Sequence, residues 1–419
     1  MHVIHLATIF TGSLFLFLAM RTRAFTKALF SLRKQSIDKI EKLSLDPTNP
    51  KAWPRLSLVI PARDEALTIE TAAQSLLKID YPNLEIVFVD DRSVDQTGVI
   101  MDRIAAQNPN VKVLHIKELP KNWLGKVHAM HSGVAATSGD YILMTDADVH
   151  FSSKSLKKAI AYSIENNLDF LTVIPDLVTP TFALQVMMVQ LFHQATIFFN
   201  PRKINDPSQK ICYGMGAFLM FKRSTYERSE GLEWLKMEVV DDSGFALVMR
   251  RAGGRLGAVS GLGEISLEWY PTLRSLLCGL EKNAFAVCQY SMIYVLTGIL
   301  ATWMIFLGFT LMPILTKSWG YMGFSFGCLF LYLVAVEQQM KNLMNSKLMS
   351  IVLFPISFLL LPMIFFRAAI LALKRDGIQW RGTFYSLEDL KANQRMKMVN
   401  LVFTSKDPPA ANRLAYKVK

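Results

Sequence analysis

Asp146, Ala147 and Asp148 follow a short apolar run, and two carboxylates one residue apart on a turn can share one hard divalent cation. A cation held in this way, Mg2+ or Mn2+, would bridge the phosphates of a nucleotide. The plainer reading is that two acids after a strand cap the next helix. Three further groups occupy comparable places. Pro61-Ala62-Arg63-Asp64-Glu65 and Asp90-Asp91-Arg92-Ser93-x-Asp95 each close an apolar run, and Gly125-Lys126-x-x-Ala129 opens a helical stretch. A carboxylate can accept the N3 proton of a uracil ring, and a lysine near a helix N-terminus can neutralise a diphosphate. Helix capping accounts for the first two without any function, and a solvated surface charge accounts for Lys126. Four such groups together favour a nucleotide site.

The elements that must position these residues follow from periodicity. LSLVI (56–60), LEIVFVD (84–90), VKVLHI (111–116) and YILMTD (from Tyr141) are β-branched-rich runs of strand length. Between them lie helical stretches with apolar positions such as Ile69, Ala72, Ala73, Leu76 and Leu77, the βαβ pattern of a parallel sheet. The carboxyl ends of strands line the ligand crevice in open α/β sheets, so the acids should converge. GMGAFLMF, with Gly214 and Gly216, reads as a glycine-led loop into a strand. Asp241 to Arg251 reads as a helix stopped by Gly253 and Gly254. Residues 180–200 are apolar and uncharged but striped by His193 and three glutamines, which predicts an amphipathic helix lying on a membrane.

The chain is 51% hydrophobic, and residues 1–20, 283–316, 318–336 and 348–366 contain no Asp, Glu, Lys or Arg. Each run reaches the roughly 18–20 residues a bilayer-spanning helix needs. Disordered and collagen-like classes are excluded. The net charge of +12 sits beside the apolar runs, as in Arg21, Arg23, Lys27, Arg33 and Lys34, and fits anionic headgroups rather than nucleic acid. The four cysteines show neither zinc-ligand spacing nor a disulfide framework. The expected organisation is an anchor at 1–20, a basic linker at 21–54 and an α/β domain at 55–270. An interfacial helix at 271–290, apolar segments at 291–373 and a basic tail at 374–419 follow. With residue 21 inside, three C-terminal spans would place the basic tail outside, against the distribution of positive charge. One segment is therefore expected to be re-entrant or interfacial, and Pro355 and Pro362 single out the last.

The motifs VIPARDEA, FVDDRSVDQT, GKVHAM, MTDADV, GMGAFLMF, VVDDSGFALVMRRAG and GIQWRGTFYSLEDL resemble the membrane-bound branch of glycosyltransferase family 2. The resemblance covers residues 55 to about 290 and a piece near 376–390, and implies a GT-A nucleotide-sugar fold. It implies that Pro61, Ala62, Arg63, Glu65 and Asp91 hold the nucleoside, and that Lys126, Asp146 and Lys282 serve the donor. Asp146 and Asp148 would hold the metal, and Asp242 falls at the position of the catalytic base. Gly214, Gly216, Asp241, Trp380 and Arg381 would belong to the acceptor or donor loop. Asp64 stands where the family usually has Asn. Chemistry supports the base independently: inverting displacement at an anomeric carbon requires the attacking hydroxyl to lose its proton, and a carboxylate at a helix start can take it. Asp241 and Asp242 would also cap that helix.

Polymerising relatives carry (Q/R)xxRW downstream of the base, whereas this chain has Glu281-Lys282-Asn283-Ala284-Phe285 in the comparable stretch. Lys282 would replace the arginine as a point charge. Without the tryptophan platform, transfer of one sugar is expected rather than a polymer. Trp380-Arg381-Gly382-x-x-Tyr385-x-Leu387 resembles the end of ceramide glucosyltransferases and of bacterial relatives, including those near carotenoid and hopanoid pathways, which implies a lipid hydroxyl as acceptor. The expectation is a metal-dependent inverting enzyme using a UDP-sugar and a membrane lipid, in a bacterial inner membrane with the catalytic domain facing the cytoplasm. A polyprenyl-phosphate glycosyltransferase is the alternative enzyme, and a non-catalytic sugar-nucleotide-binding scaffold the alternative of another class.

Overall fold

The computed structural model describes residues 2–37, 53–198, 201–206 and 211–397; residues 38–52 of the expected linker and 398–419 of the expected tail lie outside them. The chain enters through helix α1 (His2–Ala28), which continues beyond Met20, and then builds a nine-stranded sheet. Its strands are β1 (Phe30–Ser31), β2 (Leu56–Ala62), β3 (Leu84–Asp91), β4 (Val111–Ile116), β5 (Tyr141–Met144), β6 (Val149–Phe151), β7 (Phe170–Leu177), β8 (Leu219–Lys222) and β9 (Leu256–Leu267). The spatial order is β1-β9-β7-β8-β5-β2-β3-β4, with β6 on β9. Pairing is parallel except where β8 runs against β5 and β7, and β6 against β9. Helices α2 (Ile69–Leu77), α3 (Thr97–Gln107), α4 (Gly125–Ala135) and α5 (Ser155–Glu165) make the crossovers.

Parallel strands buried on both faces explain the unbroken apolar runs in the sequence. Leu58, Ile60 and Phe88 face one core with Ile69, Ala73 and Leu76 of α2, while Val59, Val87 and Val89 face the other with Val127, Met130 and Val134 of α4. Gly133 lets α4 approach closely, because a Cβ there would lie 2.9 Å from Cγ2 of Val89. Register then sets the site: Ala62 pairs with Asp90 and Val59 with Met144, so the turns after β2, β3 and β5 open at one edge of the sheet.

Helix α6 (Phe182–Phe198) corrects an expectation. Its polar stripe is buried against membrane-type helices rather than turned to water or headgroups: His193 and Gln190 are fully buried. His193 Nδ1 lies 2.8 Å from Gln339 Oε1, and the Tyr332 hydroxyl lies 2.6 Å from His193 Nε2. Helix α7 (Asp241–Arg251) forms as read and stops where Gly253 takes φ +81°.

Next come α8 (Leu273–Val287), started by a Thr272–Ser275 capping box, α9 (Met292–Leu315) and α10 (Trp319–Met340). The chain bends by 107° between α8 and α9. Leu348–Leu353, a 3-10 turn at Phe354–Ile356 and α11 (Ser357–Arg375) complete the apolar part. A hairpin of β10 (Gly377–Trp380) and β11 (Thr383–Ser386) and a short helix, α12 (Leu387–Ala392), then return to the sheet domain. Among the described residues, His2–Ala28, Trp319–Met340 and Leu348–Arg375 are long and apolar enough to cross a membrane, and a fourth span results if α8 and α9 count as one bent pair.

The contacts at the ends of these helices order them. His5 stacks on Tyr321 at 4.5 Å and Phe15 meets Tyr332 edge-on at 5.0 Å, so α1 and α10 run parallel toward the sheet. After α10, Ser260 Oγ of β9 donates to the Asn342 carbonyl, and Lys347 N–H donates to Gln185 Oε1 at 2.9 Å. The far end of α11 also meets the domain, with Arg367 and Arg375 at 2.7 and 3.3 Å from Glu281 of α8. Leu348–Arg375 thus starts and finishes against the same domain. Pro355 adds only the 3-10 turn, and the sharp break falls between α8 and α9 instead. We predict that α9 and α10 make an out-and-back pair and that Leu348–Arg375 lies along the bilayer surface, which returns the basic tail to the side of the sheet. Asn345→Cys and Lys374→Cys, each the single thiol in sealed vesicles, should react with an impermeant maleimide from the same side. Labelling from opposite sides would make the segment a true span.

Candidate active site

The donor end of the site begins with two interlocked turns. Asp64 and Arg92 adopt φ +55° and +57°, a left-handed conformation that Asp and Asn tolerate better than most residues. Asp64 Oδ1 accepts the Val94 N–H at 2.9 Å, Ser93 Oγ accepts the Asp64 N–H at 3.2 Å, and Thr97 Oγ1 accepts the Glu65 N–H at 2.8 Å. Asp therefore does what Asn would do at residue 64. Asp90 points away from the crevice to His115, at 2.9 Å, whereas Asp91 lines it and is gripped by Arg92 at 2.7 and 3.1 Å. Gly125 is required beside this pair, since a Cβ there would lie 2.8 Å from Arg92 Nη2.

The acids after β5 and at the start of α7 meet over two lysines. Lys126 Nζ is 2.6 Å from Asp146 Oδ1 and 4.0 Å from Asp241 Oδ2, and Lys282 Nζ is 3.9 Å from Asp241 Oδ1. Burial depresses the Lys126 pKa, but Asp146 and Asp241 outweigh it and hold the ammonium charged; Lys282 is net lowered by burial. Asp241 lies between the lysines, while Asp242 Oδ1 accepts the Ser243 N–H at 2.6 Å. Burial and the neighbouring Asp241 raise Asp242 to about 6. Burial, Asp146 and Glu65 raise Asp148 to about 7. Asp242 is thus poised to exchange a proton near neutrality.

The tail is more than a basic extension, because residues 377–396 fold back as a wall of the site. Tyr385 Oη accepts the Gly125 N–H at 3.1 Å, and Arg381 reaches Glu65 at 2.6 Å and the Arg63 carbonyl at 2.8 Å. Trp380 sits beneath Lys282, with Nζ 4.8 Å from the ring centre. Buried Glu238 clamps the segment's end by accepting the Arg395 and Met396 N–H groups at 2.7 and 2.8 Å.

One cavity of about 460 Å³ is lined by Pro61, Ala62, Arg63, Glu65, Asp91, Lys126, Asp146, Asp148, Gly214, Gly216, Asp241, Asp242, Lys282, Trp380 and Arg381. Every residue that the family resemblance implied for the site therefore faces the same space, whereas Asp90, Arg92 and Asp95 of the second turn do not line it. Sequence reasoning quoted Tyr385 and Asn283 within motifs without giving them a role, and missed other walls, among them Trp269 and Tyr270 and an apolar arm of Leu191, Phe192, Ala195, Leu280, Val287 and Phe365. EKNAF carries no tryptophan, and Trp380 and Trp269 reach the cavity from elsewhere in the chain. Chemically, one end offers carboxylates and ammonium groups for a diphosphate and a proton, and the other offers rings and alkyl surface.

Residues 57–229 match the family described as Glycosyl transferase family 2, and the chain carries a domain of that family. A probable glycosyltransferase, YdaM, of Bacillus subtilis is 35% identical over 24% of this chain and 24% of its own. The beta-monoglucosyldiacylglycerol synthase of Synechocystis is 29% identical over 34% of this chain and 29% of its own. The chain thus spans less than a third of either relative. A mannosyltransferase of Pyrobaculum calidifontis, solved with GDP-Man and Mn2+, superposes with a TM-score of 0.51 at 17% identity, over 88% of this chain and 99% of that one. This likeness is one of fold, of the GT-A type that the sequence resemblance implied.

Among the described residues no three His, Cys, Asp or Glu side chains are grouped to hold a metal. Asp146, paired with Lys126, and Asp148 supply two carboxylates, a set that fits a divalent cation whose other ligands come from a substrate phosphate. The raised Asp148 pKa has a sign that can be tested without any ligand. Its neutral form suits the fold, so its stabilising contribution is present at low pH and is lost as pH rises through about 7. Asp148→Asn stays neutral and should raise the unfolding temperature of the metal-free protein by several degrees at pH 8 and by clearly less at pH 5, the gain vanishing below the ordinary aspartate pKa of 3.8, read by thermal unfolding in nanodiscs. A less stable variant at pH 8 would make Asp148 a structural carboxylate.

Proposed function

We propose that this protein transfers one sugar, with inversion, from a UDP-linked donor to a hydroxyl of a membrane lipid. The observation that carries the reading is the single cavity joining the acids after β5 and at α7 to an apolar arm that reaches Phe365 of α11. A soluble acceptor needs no such arm, and a lipid must keep its chain in the bilayer while its head reaches the acids. The Synechocystis relative, named for a glucosyldiacylglycerol product, supports a lipid acceptor. Its bacterial source and the basic residues flanking the apolar segments support a bacterial inner membrane with the cavity facing the cytoplasm.

In this reading, Asp91 and the turn from Pro61 to Glu65 hold the nucleoside. Lys126 and the N-terminus of α4 face the diphosphate, joined by Lys282. Asp146 and Asp148 would hold Mg2+ or Mn2+, which when bound screens the charge that grows on the leaving diphosphate. The acceptor hydroxyl attacks the anomeric carbon as Asp242 takes its proton. The new carbon–oxygen bond forms as the bond to the diphosphate breaks, and the nucleoside diphosphate departs with the electron pair. Lys126, paired with Asp146 at 2.6 Å, stands close enough to turn from that carboxylate toward phosphate. The rings and apolar arm exclude water, which would otherwise compete as acceptor.

Membranes given radiolabelled UDP-sugars and extracted with organic solvent should carry the label in one lipid bearing one sugar. Label in a water-soluble polymer would overturn the reading, and label only in an acid-labile phosphoprenyl species would replace it by polyprenyl-phosphate transfer. Asp242→Asn should lower kcat by roughly a hundredfold or more with little change in UDP affinity. Loss of UDP binding would instead make Asp242 a donor ligand. For the wild type, kcat/KM should fall as pH drops through about 6, where Asp242 becomes protonated.

A further inference from the structure

Between the acid centre and the apolar arm, α8 places an amide where no partner meets it. Asn283 follows Lys282 and lines the cavity, and its Oδ1 is buried without a hydrogen-bond partner. An unsatisfied buried oxygen is costly, and a ligand donor can recover that cost. In the same cavity, Trp269 and Tyr270 stack at 5.0 Å with their planes 21° apart, and Phe192 of α6 meets Trp269 edge-on at 6.0 Å. The stack is pressed against α8: at Gly279 a Cβ would lie 2.9 Å from the Tyr270 hydroxyl, so α8 and the aromatic pair form one rigid wall. Neither Asn283 nor the pair has a part in donor binding or proton transfer as derived above.

We propose that Asn283 and the Trp269–Tyr270 stack form the acceptor-head subsite, and that it selects a neutral lipid head with at least two hydroxyls. The inference rests on the lipid-acceptor reading and narrows it. One hydroxyl reacts at Asp242, and a second donates to Asn283 Oδ1. The ring faces take the carbon skeleton of the head, since C–H-rich polyol faces pack on aromatic surface. The chain then leaves through the apolar arm between Ala195 of α6 and Phe365 of α11, where the segment Leu348–Arg375 would meet the bilayer. A phosphorylated head, ionised at neutral pH, has no proton to offer Asn283 Oδ1, and it would bring further negative charge beside Asp241 and Asp242. A simple alcohol would leave the amide oxygen unpaired.

The test uses the full chain in phosphatidylcholine vesicles with the UDP-sugar it turns over fastest. Monooleoylglycerol, with two free hydroxyls, competes with oleyl alcohol, with one hydroxyl on a chain of the same length. The wild type should prefer monooleoylglycerol at least about tenfold, because a site built to bond a hydroxyl rejects an analogue lacking it. Asn283→Leu should bring the ratio close to one, and Trp269→Ala should raise KM for monooleoylglycerol. A wild-type ratio near one, or a ratio unmoved by Asn283→Leu, would overturn the proposal. A monooleoylglycerol analogue with a diazirine at the chain end reads binding without turnover: it should label α6 near Ala195 or α11 near Phe365, and label less in Asn283→Leu. Such labelling without sugar transfer would sink the lipid-transfer reading and leave the subsite standing, whereas labelling elsewhere would overturn the subsite.

Discussion

Crowding of like charge at one edge of a sheet is the constraint around which the rest is arranged. The register of β2, β3 and β5 and the start of α7 bring Glu65, Asp91, Asp146, Asp148, Asp241 and Asp242 to one cavity. Carboxylates so close, and partly removed from water, oppose one another's ionisation. Lys126 sits between Asp146 and Asp241, Lys282 approaches Asp241, Arg92 holds Asp91, and Arg381 holds Glu65. Asp148 and Asp242 are left without such a partner, and theirs are the carboxyl pKa values pushed upward here. The acids with partners are held in ion pairs that shape the site, and in the proposed reading those without are free for a cation and a proton.

The cations that answer this crowding come from distant parts of the chain, and that makes the membrane part a component of the site. Lys282 belongs to α8, just before the 107° bend into α9, and Arg381 belongs to the hairpin that follows α11. Glu281, the neighbour of Lys282, is tied to Arg367 and Arg375 of α11. A shift of α11 would therefore move both the helix carrying Lys282 and the hairpin carrying Trp380, Arg381 and Tyr385. The Glu238 clamp on Arg395 and Met396 fixes the far end of that hairpin segment, so the wall is held from both sides.

Features set by local periodicity or by residues close in sequence were legible before the structure. The strands, the acids at their ends and helix α7 with its glycine stop follow from patterns within about a dozen residues. Asp146 and Asp148 were visible for the same reason. What escaped reading depends on long-range contact: the Tyr385 hydroxyl meets the N–H of Gly125, 260 residues away in sequence. The stripe on α6 misled because periodicity reports that a polar face exists and is silent about its partner; for His193, Gln339 and Tyr332 supply the hydrogen bonds that water would otherwise give. Hydropathy likewise measures length and apolarity and is blind to direction. Leu348–Arg375 satisfies the criteria for a span, yet contacts at Lys347 and Arg375 return both ends to the domain.

The two halves of the cavity make opposite demands on water. In the proposed reaction, proton transfer at Asp242 and charge separation at a diphosphate would gain from a dry, preorganised site, because each ionic contact is stronger where the local dielectric is low. A nucleotide must nevertheless arrive from water, so the polar end has to stay open. In the proposed reading, an acceptor that fills the apolar arm would displace water from that end of the cavity and bring its hydroxyl to Asp242 in the same event. Hydrolysis of the donor in an unsealed site would waste the sugar. An enzyme whose acceptor also acts as the plug loses little of its donor to water, provided the arm fits the lipid closely. In the wall formed by Phe192, Trp269, Tyr270 and α8, Gly279 allows the aromatic stack to lie directly on the helix.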